Sequence, residues 1–336
     1  MKISILDQTQ LLEGISAVEG FAQSVELAKY ADKLGYHRYW LSEHHSSDAL
    51  AGSSPEILAS HLLAKTDNII VGSGGVMLPH YSAYKVAENF KVLSALAPGR
   101  VDLGVGRAPG GHHLSNIALQ GERSRNRNVD HFPEQIDQVL EYLQDKLPDI
   151  HPLRGLETTP AIEKKPDLWV LGTSYSSAHL AAEKGLPYGF AQFINYQPGA
   201  MEQAVSLYVN NFKPSRYLDK PKVLVTMKII VADTDEEAEN IAKSALQFNY
   251  YLHRGQLTRL VNPEKALSHV INPSEKLEIE NVKETYIIGS RETVAKKIKE
   301  LTNKLPINEL MAITPIYEFE KRKRSFKLLK EAVSEL

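Results

Sequence analysis

Four short stretches of the chain carry residue types suited to chemistry. Gly172-Thr173-Ser174-Tyr175-Ser176-Ser177 gathers small and hydroxyl residues at the start of a helical pattern. There the first backbone N–H groups have no intrahelical acceptor and the helix dipole favours an anion, so the stretch reads as a phosphate seat. Serine capping of the helix would account for the same residues equally well. Gly106-Arg107 tips the balance, because an arginine after small residues can bring a forked countercharge to a phosphate. Ser73-Gly74-Gly75 leaves backbone bare enough for close approach of another group. Glu43-His44-His45 offers imidazoles for proton transfer or for hydrogen bonding to an anionic intermediate. Adjacent histidines on extended backbone diverge and cannot share one ion, so no metal site is expected. One of the pair should face a ligand while the other serves structure.

These stretches share a place: each follows a short apolar run that reads as a strand. Such runs occur at Lys2 to Leu6, Arg38 to Ser42, Asn68 to Val71, Val101 to Val105, Leu168 to Leu171, Tyr188 to Ala191, Val223 to Val231 and Glu309 to Ile313. Helical periods alternate with them, beginning with Ala17 to Leu34, whose Val18, Phe21, Val25, Ala28 and Leu34 mark the expected buried side, and Gly35 stops it. Helices are also expected at Ser54 to Ala64, Ser82 to Leu96, Pro133 to Leu147, Ser176 to Lys184, Ala200 to Phe212, Asp235 to Tyr251 and Glu292 to Lys304. Eight β/α units predict an α/β fold, a (β/α)8 TIM barrel forming one domain over residues 1–336. A Rossmann arrangement would need a glycine fingerprint after the first strand, where the chain has Asp7-Gln8-Thr9-Gln10. In a barrel the site lies at the C-terminal strand ends, where all four stretches fall. Two connections exceed plain turns: Ala108 to Phe132 after the fourth strand, and His253 to Glu284 before the last β/α unit. The second is the better candidate for a substrate cover. Gln192 after the sixth strand and Tyr250 and Arg254 beside that cover are the expected substrate contacts.

The bulk composition excludes several classes. Lys+Arg number 39 against 41 Asp+Glu, for a net charge of −2, and the run Lys321-Arg322-Lys323-Arg324 sits on a helical pattern and reads as a solvated face, so no nucleic acid is expected. There is no cysteine, which removes disulfides, thiolate metal sites and a catalytic thiol. The first residues reach Asp7 too soon for a signal-peptide core, and no stretch approaches the roughly eighteen apolar residues of a membrane span; a cytoplasmic protein is expected, with no membrane partner.

Taken together, several segments resemble the luciferase-like flavin monooxygenases. They are Trp40-Leu41-Ser42-Glu43-His44-His45, the stretch from Val71 through Gly74-Gly75 to Pro79, Pro98 to Arg107, Val170 to Ala178 and, more weakly, Ile288-Gly289-Ser290. The resemblance implies reduced FMN as cofactor, supplied by a separate NAD(P)H:flavin reductase, with O2 and a small organic substrate. It places the flavin phosphate on Arg107, Ser174 and Ser177, with Gly172 and Thr173 beside them. It sets Ser73, Gly74 and Gly75 against the flavin ring across a peptide that is often cis, and it makes His44 an assistant to the oxygen chemistry. It also implies a homodimer through the second and third helices, with Ser60, Ala64, Ala87 and Leu93 as expected contacts. Gly106 stands where bacterial luciferases carry a cysteine, which sets the chain apart from light emitters. A deazaflavin-dependent oxidoreductase and a non-catalytic flavin-binding protein are the alternatives.

Overall fold

A computed structural model describes residues 1–121, 130–144, 147–268, 272–334 and 336. Strands are β1 (Lys2–Asp7), β2 (Arg38–Leu41), β3 (Ile70–Met77), β4 (Val101–Gly106), β5 (Asp167–Gly172), β6 (Tyr188–Ala191), β7 (Val223–Ala232), β8 (Tyr286–Ser290) and β9 (Glu309–Ile313). Helices are α1 (Ala17–Lys33), α2 (Pro55–Leu63), α3 (Ala83–Leu96), α4 (His113–Gln120), α5 (Phe132–Tyr142), α6 (Tyr175–Lys184), α7 (Ala200–Asn211), α8 (Asp235–His253), α9 (Pro273–Lys283), α10 (Arg291–Lys304) and α11 (Phe319–Ser334). β1 to β7 pair in parallel in chain order, β7 pairs with β9 and β9 with β1, so eight strands close into the expected (β/α)8 barrel.

The ninth strand, β8, was not expected. It lies along Lys228–Ala232 of β7, beyond the Val223–Thr226 stretch on which β6 pairs. β7 is long enough to serve both, and its upper half carries a second core in which Ile230, Tyr286 and Ile288 pack against Ala242, Leu246 and Tyr250 of α8. Two further departures concern the long connections. The first contains α4 and the second contains α9, so neither is a plain loop; residues 122–129 and 269–271 of them lie outside the described residues. β3 runs on through Ser73, Gly74 and Gly75 to Met77 rather than ending at Val71. Its neighbours hold it there: Ser73 pairs with Leu41, Gly74 with Gly104 and Met77 with Gly106. A Cβ on Gly75 would come within 2.8 Å of Gly104 O and of Leu171 Cδ1, so only glycine lets the strands approach this closely.

α1 buries the expected side only in part: Ala28 is in the core and Val25 and Leu34 pack against it, but the N-terminal end of that side is turned out. Val18 is 78% exposed and Phe21 37%, while Gly20, Ser24, Leu27, Ala28 and Ala31 are buried. Small residues allow a closer approach than the larger ones would, and that side won. The Ser16–Glu19 capping box starts this helix, and Ser174–Ser177 starts α6, which ends on Gly185 in the left-handed region. The basic run on α11 is less solvated than expected. Arg322 turns inward to the fully buried Asp7 at 3.1 Å and is itself only slightly exposed, while Lys321, Lys323 and Arg324 pair at the surface with Glu318, Glu26 and Asp233.

Inside the barrel the side chains are layered. At the floor, Arg38 is held by Asp102 and by Glu309, which also accepts from Ser4 Oγ. Above it Trp40 and Trp169 meet edge to face at 5.4 Å, packed with Leu6, Leu224 and Met311, a geometry worth about 0.5–1.5 kcal/mol beyond burial. Gly74 and Gly75 of β3 and Gly189 of β6 line the next level, which leaves space.

Candidate active site

That space is a cavity of about 360 Å³ at the C-terminal end of the barrel, within the usual range for small-molecule sites. Its deep wall is apolar: Leu6, Trp40, Met77, Phe132, Phe193 and Met311. Its mouth is polar: Arg107, Thr173, Ser174, Ser176 and Ser177. Arg107 leaves the end of β4 with its guanidinium 46% exposed, donating to Ser176 Oγ at 3.0 Å and pairing with Asp130 at 2.5 Å. Asp130 in turn caps the start of α5 through Phe132 N, 3.2 Å away. Ser174 Oγ lies 2.9 Å from Ser176 Oγ, so hydroxyls, guanidinium and the first amides of α6 converge on one spot.

Ser177 was expected among the anion ligands, but its hydroxyl is turned inward. It donates to Ser174 O at 2.8 Å and sits 3.3 Å from Tyr188 Oη, closing the capping box, and Ser176 takes the place beside Arg107 instead. Gly172 and Thr173 line the cavity, the latter fixed by Asn195 Nδ2 on its carbonyl at 2.8 Å. Gly74 and Gly75 also line it, and the peptide between them is cis. Ser73 does not. Strand alternation sends it to the outer side, fully buried, where its hydroxyl donates to Gly104 O at 2.8 Å and ties β3 to β4.

The segment after β2 separates the two histidines. His45 Nε2 lies 2.7 Å from Glu43 Oε1, which also accepts from Tyr81 Oη at 2.8 Å, while Glu43 Oε2 accepts from Met77 N at 3.1 Å. His45 is therefore the structural member of the pair. Glu43, for which the sequence suggested no role, fastens β2 to the cavity wall; its only signal was an acid directly before the two histidines. His44 is not on the wall. Its imidazole is half-buried with Nδ1 3.1 Å from Ser42 Oγ. Burial, with a smaller push from His45, lowers its pKa to about 4, so it is neutral at pH 7.

The three expected substrate contacts lie off the cavity wall. α8 continues two residues past Tyr251, which puts Tyr250 and Arg254 one turn apart on the side facing α9. Tyr250 Oη donates to Glu275 at 2.9 Å, Arg254 pairs with Glu278 at 2.6 Å, and the guanidinium stacks 3.6 Å from the Tyr250 ring centroid. Both residues clamp α9 to α8. Gln192 follows β6 between the wall residues Ala191 and Phe193, but its Nε2 is directed to Thr285 O at 3.4 Å. Of the expected dimer contacts, Ala87 and Leu93 are in the core, at 0% and 4% exposure, so they cannot meet a partner; on the same two helices Ile57, Val92 and Leu96 are exposed. Among the described residues no helix is long and apolar enough to cross a membrane, and no three metal-ligating side chains are gathered together.

Comparison with known proteins agrees with this architecture. Over 339 residues the chain is 44% identical to the uncharacterized protein YwcH of Bacillus subtilis, with both chains fully covered. It is 38% identical to the N-acetyl-S-alkylcysteine monooxygenase of the same organism, over 99% of this chain and 98% of the relative. Apo-MsnO8 superposes with a TM-score of 0.89 at 32% identity, covering 99% of this chain and 98% of that one. More distant barrels of the same fold include the oxygenating constituent of 3,6-diketocamphane monooxygenase from Pseudomonas putida, in complex with FMN (21% identity, TM-score 0.74), and an F420-dependent secondary alcohol dehydrogenase (16%, 0.65). The model for luciferase-like monooxygenases matches residues 1–307, and with these relatives it shows that the chain belongs to the luciferase-like monooxygenase family.

Proposed function

We propose that the protein is an FMN-dependent monooxygenase that takes reduced FMN from a separate NAD(P)H:flavin reductase and uses O2 to oxidise a small organic substrate, acting as a cytoplasmic homodimer of one-domain subunits. The observation that carries this reading is one cavity that joins a polar mouth, with Arg107 and serine hydroxyls, to an apolar interior. Arg107, Ser174 and Ser176, with the first amides of α6, fit a terminal phosphate; Trp40, Met77, Leu171 and the bare Gly74–Gly75 backbone fit a fused aromatic ring. Reduced flavin, when bound, would supply the electrons that activate O2. The chain's own work is to orient that group, to keep water from it with Phe132, Phe193 and Met311, and to handle protons at its edge. His45 is committed to Glu43, so the proton-transfer role falls to neutral His44, which lies off the cavity wall with Ser42 at its Nδ1 and would serve that edge through a relay rather than by direct contact.

Stopped-flow absorbance tests the reading. When the protein with chemically reduced FMN is mixed with aerated buffer, oxidised flavin should return over seconds, and His44→Asn should shorten that delay without loosening FMN. Immediate return in the wild type, or binding of deazaflavin F420 in place of FMN, would overturn it.

A further inference from the structure

We propose that the organic substrate is a carboxylic acid that extends past the cavity wall at Thr226 and Ala191 to the junction behind it, its carboxylate held by Lys228 and a donor group of the same molecule held by Gln192. Neither Lys228 nor Gln192 lines the cavity itself. The inference rests on the reading of the cavity as an oxygenase site and names the substrate class that site would take. β7 passes from the barrel into the second core with one face turned inward throughout. Leu224 packs among the barrel tryptophans, Thr226 lines the cavity, and Ile230 and Ala232 belong to the second core. Lys228 is the step between, at about 6.6 Å above Thr226 on the same face. Its lateral neighbours are Ile313, which packs with the wall residues Leu6, Trp40 and Met311, and Tyr286.

The ammonium there has no countercharge. Lys228 is 6% exposed, donates to Asn249 Oδ1 at 2.7 Å and lies 5.0 Å from the Tyr286 ring centroid; among the described residues no carboxylate comes within 4.0 Å. The inward-turned arginines of the barrel are treated differently: Arg38 has Asp102 and Glu309, and Arg322 has Asp7. Lys91, on α3 outside the barrel, also reaches a neutral acceptor, the carbonyl of Thr158, so the contrast holds for the barrel interior and not for every buried cation. An uncompensated ammonium out of water is costly, and an amide oxygen with a ring face offsets only part of that cost. Burial lowers the Lys228 pKa to about 7, the direction expected for a cation waiting for an anion.

Gln192 supplies an independent observation at the same junction. Its N–H donates to Thr226 O and its Nε2 to Thr285 O, the residue before Tyr286, while its Oε1 is buried without a hydrogen-bond partner. That oxygen is an acceptor for an N–H or O–H. One ammonium and one amide match a monoanion; a phosphate would bring a second charge that nothing here meets. The phosphate-competent cluster around Arg107 is built from other strands, β4 and β5.

Calorimetric titration of the FMN-loaded protein with N-acetylmethionine, which carries a carboxylate and an N–H donor, and with its carboxamide, matched in shape, tests the proposal. The wild type should bind the acid at least tenfold more tightly than the amide. Lys228→Met should lose at least tenfold for the acid and little for the amide, and Lys228→Arg should keep the preference. Equal affinity for the two probes, binding of neither, or an equal loss for both in Lys228→Met overturns the proposal. The wild-type comparison stands even if a variant fails to fold. FMN affinity measured on the same preparations reports on the flavin reading alone: if FMN does not bind, the acid and amide are compared on the apo protein, and an acid preference there would sink the flavin reading and leave the carboxylate seat standing.

Discussion

On the proposed reading, in which the guanidinium would meet the phosphate and nothing else of the flavin, replacing Arg107 by alanine should weaken FMN binding and leave riboflavin binding nearly unchanged. The size follows from what Arg107 does without the phosphate. Its ion pair with Asp130 joins two side chains that are each 46% exposed, so breaking it costs only about 0–1 kcal/mol. A charge-assisted hydrogen bond to a phosphate is worth about 1.5–3 kcal/mol, and partial exposure puts this one at the lower end. The net contribution is therefore about 1–2 kcal/mol, a factor of about 5–30 in Kd. Asp130→Asn should shift FMN affinity the other way, by up to about fivefold, since the guanidinium no longer has to be freed. Quenching of flavin fluorescence on titration with the protein reads both ligands, and raising the salt should shrink the FMN effect. If Arg107→Ala weakens FMN and riboflavin equally, the residue shapes the fold rather than the phosphate seat; if FMN is unaffected, the seat is elsewhere.

Three further outcomes follow from the buried charges. Between pH of about 6.5 and about 4 the unfolded chain protonates His44 while the folded one does not, so stability should fall as pH falls through that window; urea unfolding should show a loss of up to about 3 kcal/mol, and His44→Asn should flatten the profile. Asp102→Asn removes one of the two carboxylates on buried Arg38 and should lower stability by about 3 kcal/mol at pH 7, whereas a loss under about 1 kcal/mol would mean that Glu309 alone suffices. Lys228→Met should raise stability at pH 6, where the folded protein carries a full buried ammonium. A shift from 10.5 to about 7 is worth on the order of 5 kcal/mol; orphaning Asn249 Oδ1 returns about 1–3 of it. The gain over wild type should shrink towards pH 9 as wild-type Lys228 sheds its proton, and a variant less stable at pH 6 would refute the assignment of that cost.

The parts of the site legible in the sequence are those set by backbone position. Gly106-Arg107 and the small-residue run after β5 fall at strand ends whatever their side chains do, so alternation of strand and helix locates them. What depends on side-chain direction was not legible. Ser177 and Ser176 are neighbours of one type, and only the capping geometry decides which hydroxyl is spent on the helix and which faces Arg107. Ser73 and Gly74 are likewise adjacent, and reading the strand as ended at Val71 hid the alternation that puts one outside and the other in the cavity. A helical period that ends at Tyr251 puts Tyr250 and Arg254 at the rim of a loop; two more residues of helix turn them onto α9.

The missed strand has the largest consequence. Tyr286 to Ser290 is short and carries a glycine, so on its own it is a poor strand; its partner is the upper half of β7, whose continuous apolar run carries no mark of a division. Once β8 is in place, the polar group at the division, Lys228, is enclosed by α8 and β8 rather than exposed beyond the end of a barrel strand. A lysine at that position in a plain eight-unit barrel would reach water and need no explanation. Here the added strand and helices bury it, and the folded chain carries the cost at neutral pH. A stability gain on its removal together with a loss of acid binding would show one residue held against stability for its ligand, the trade expected of a binding group and not of a packing one.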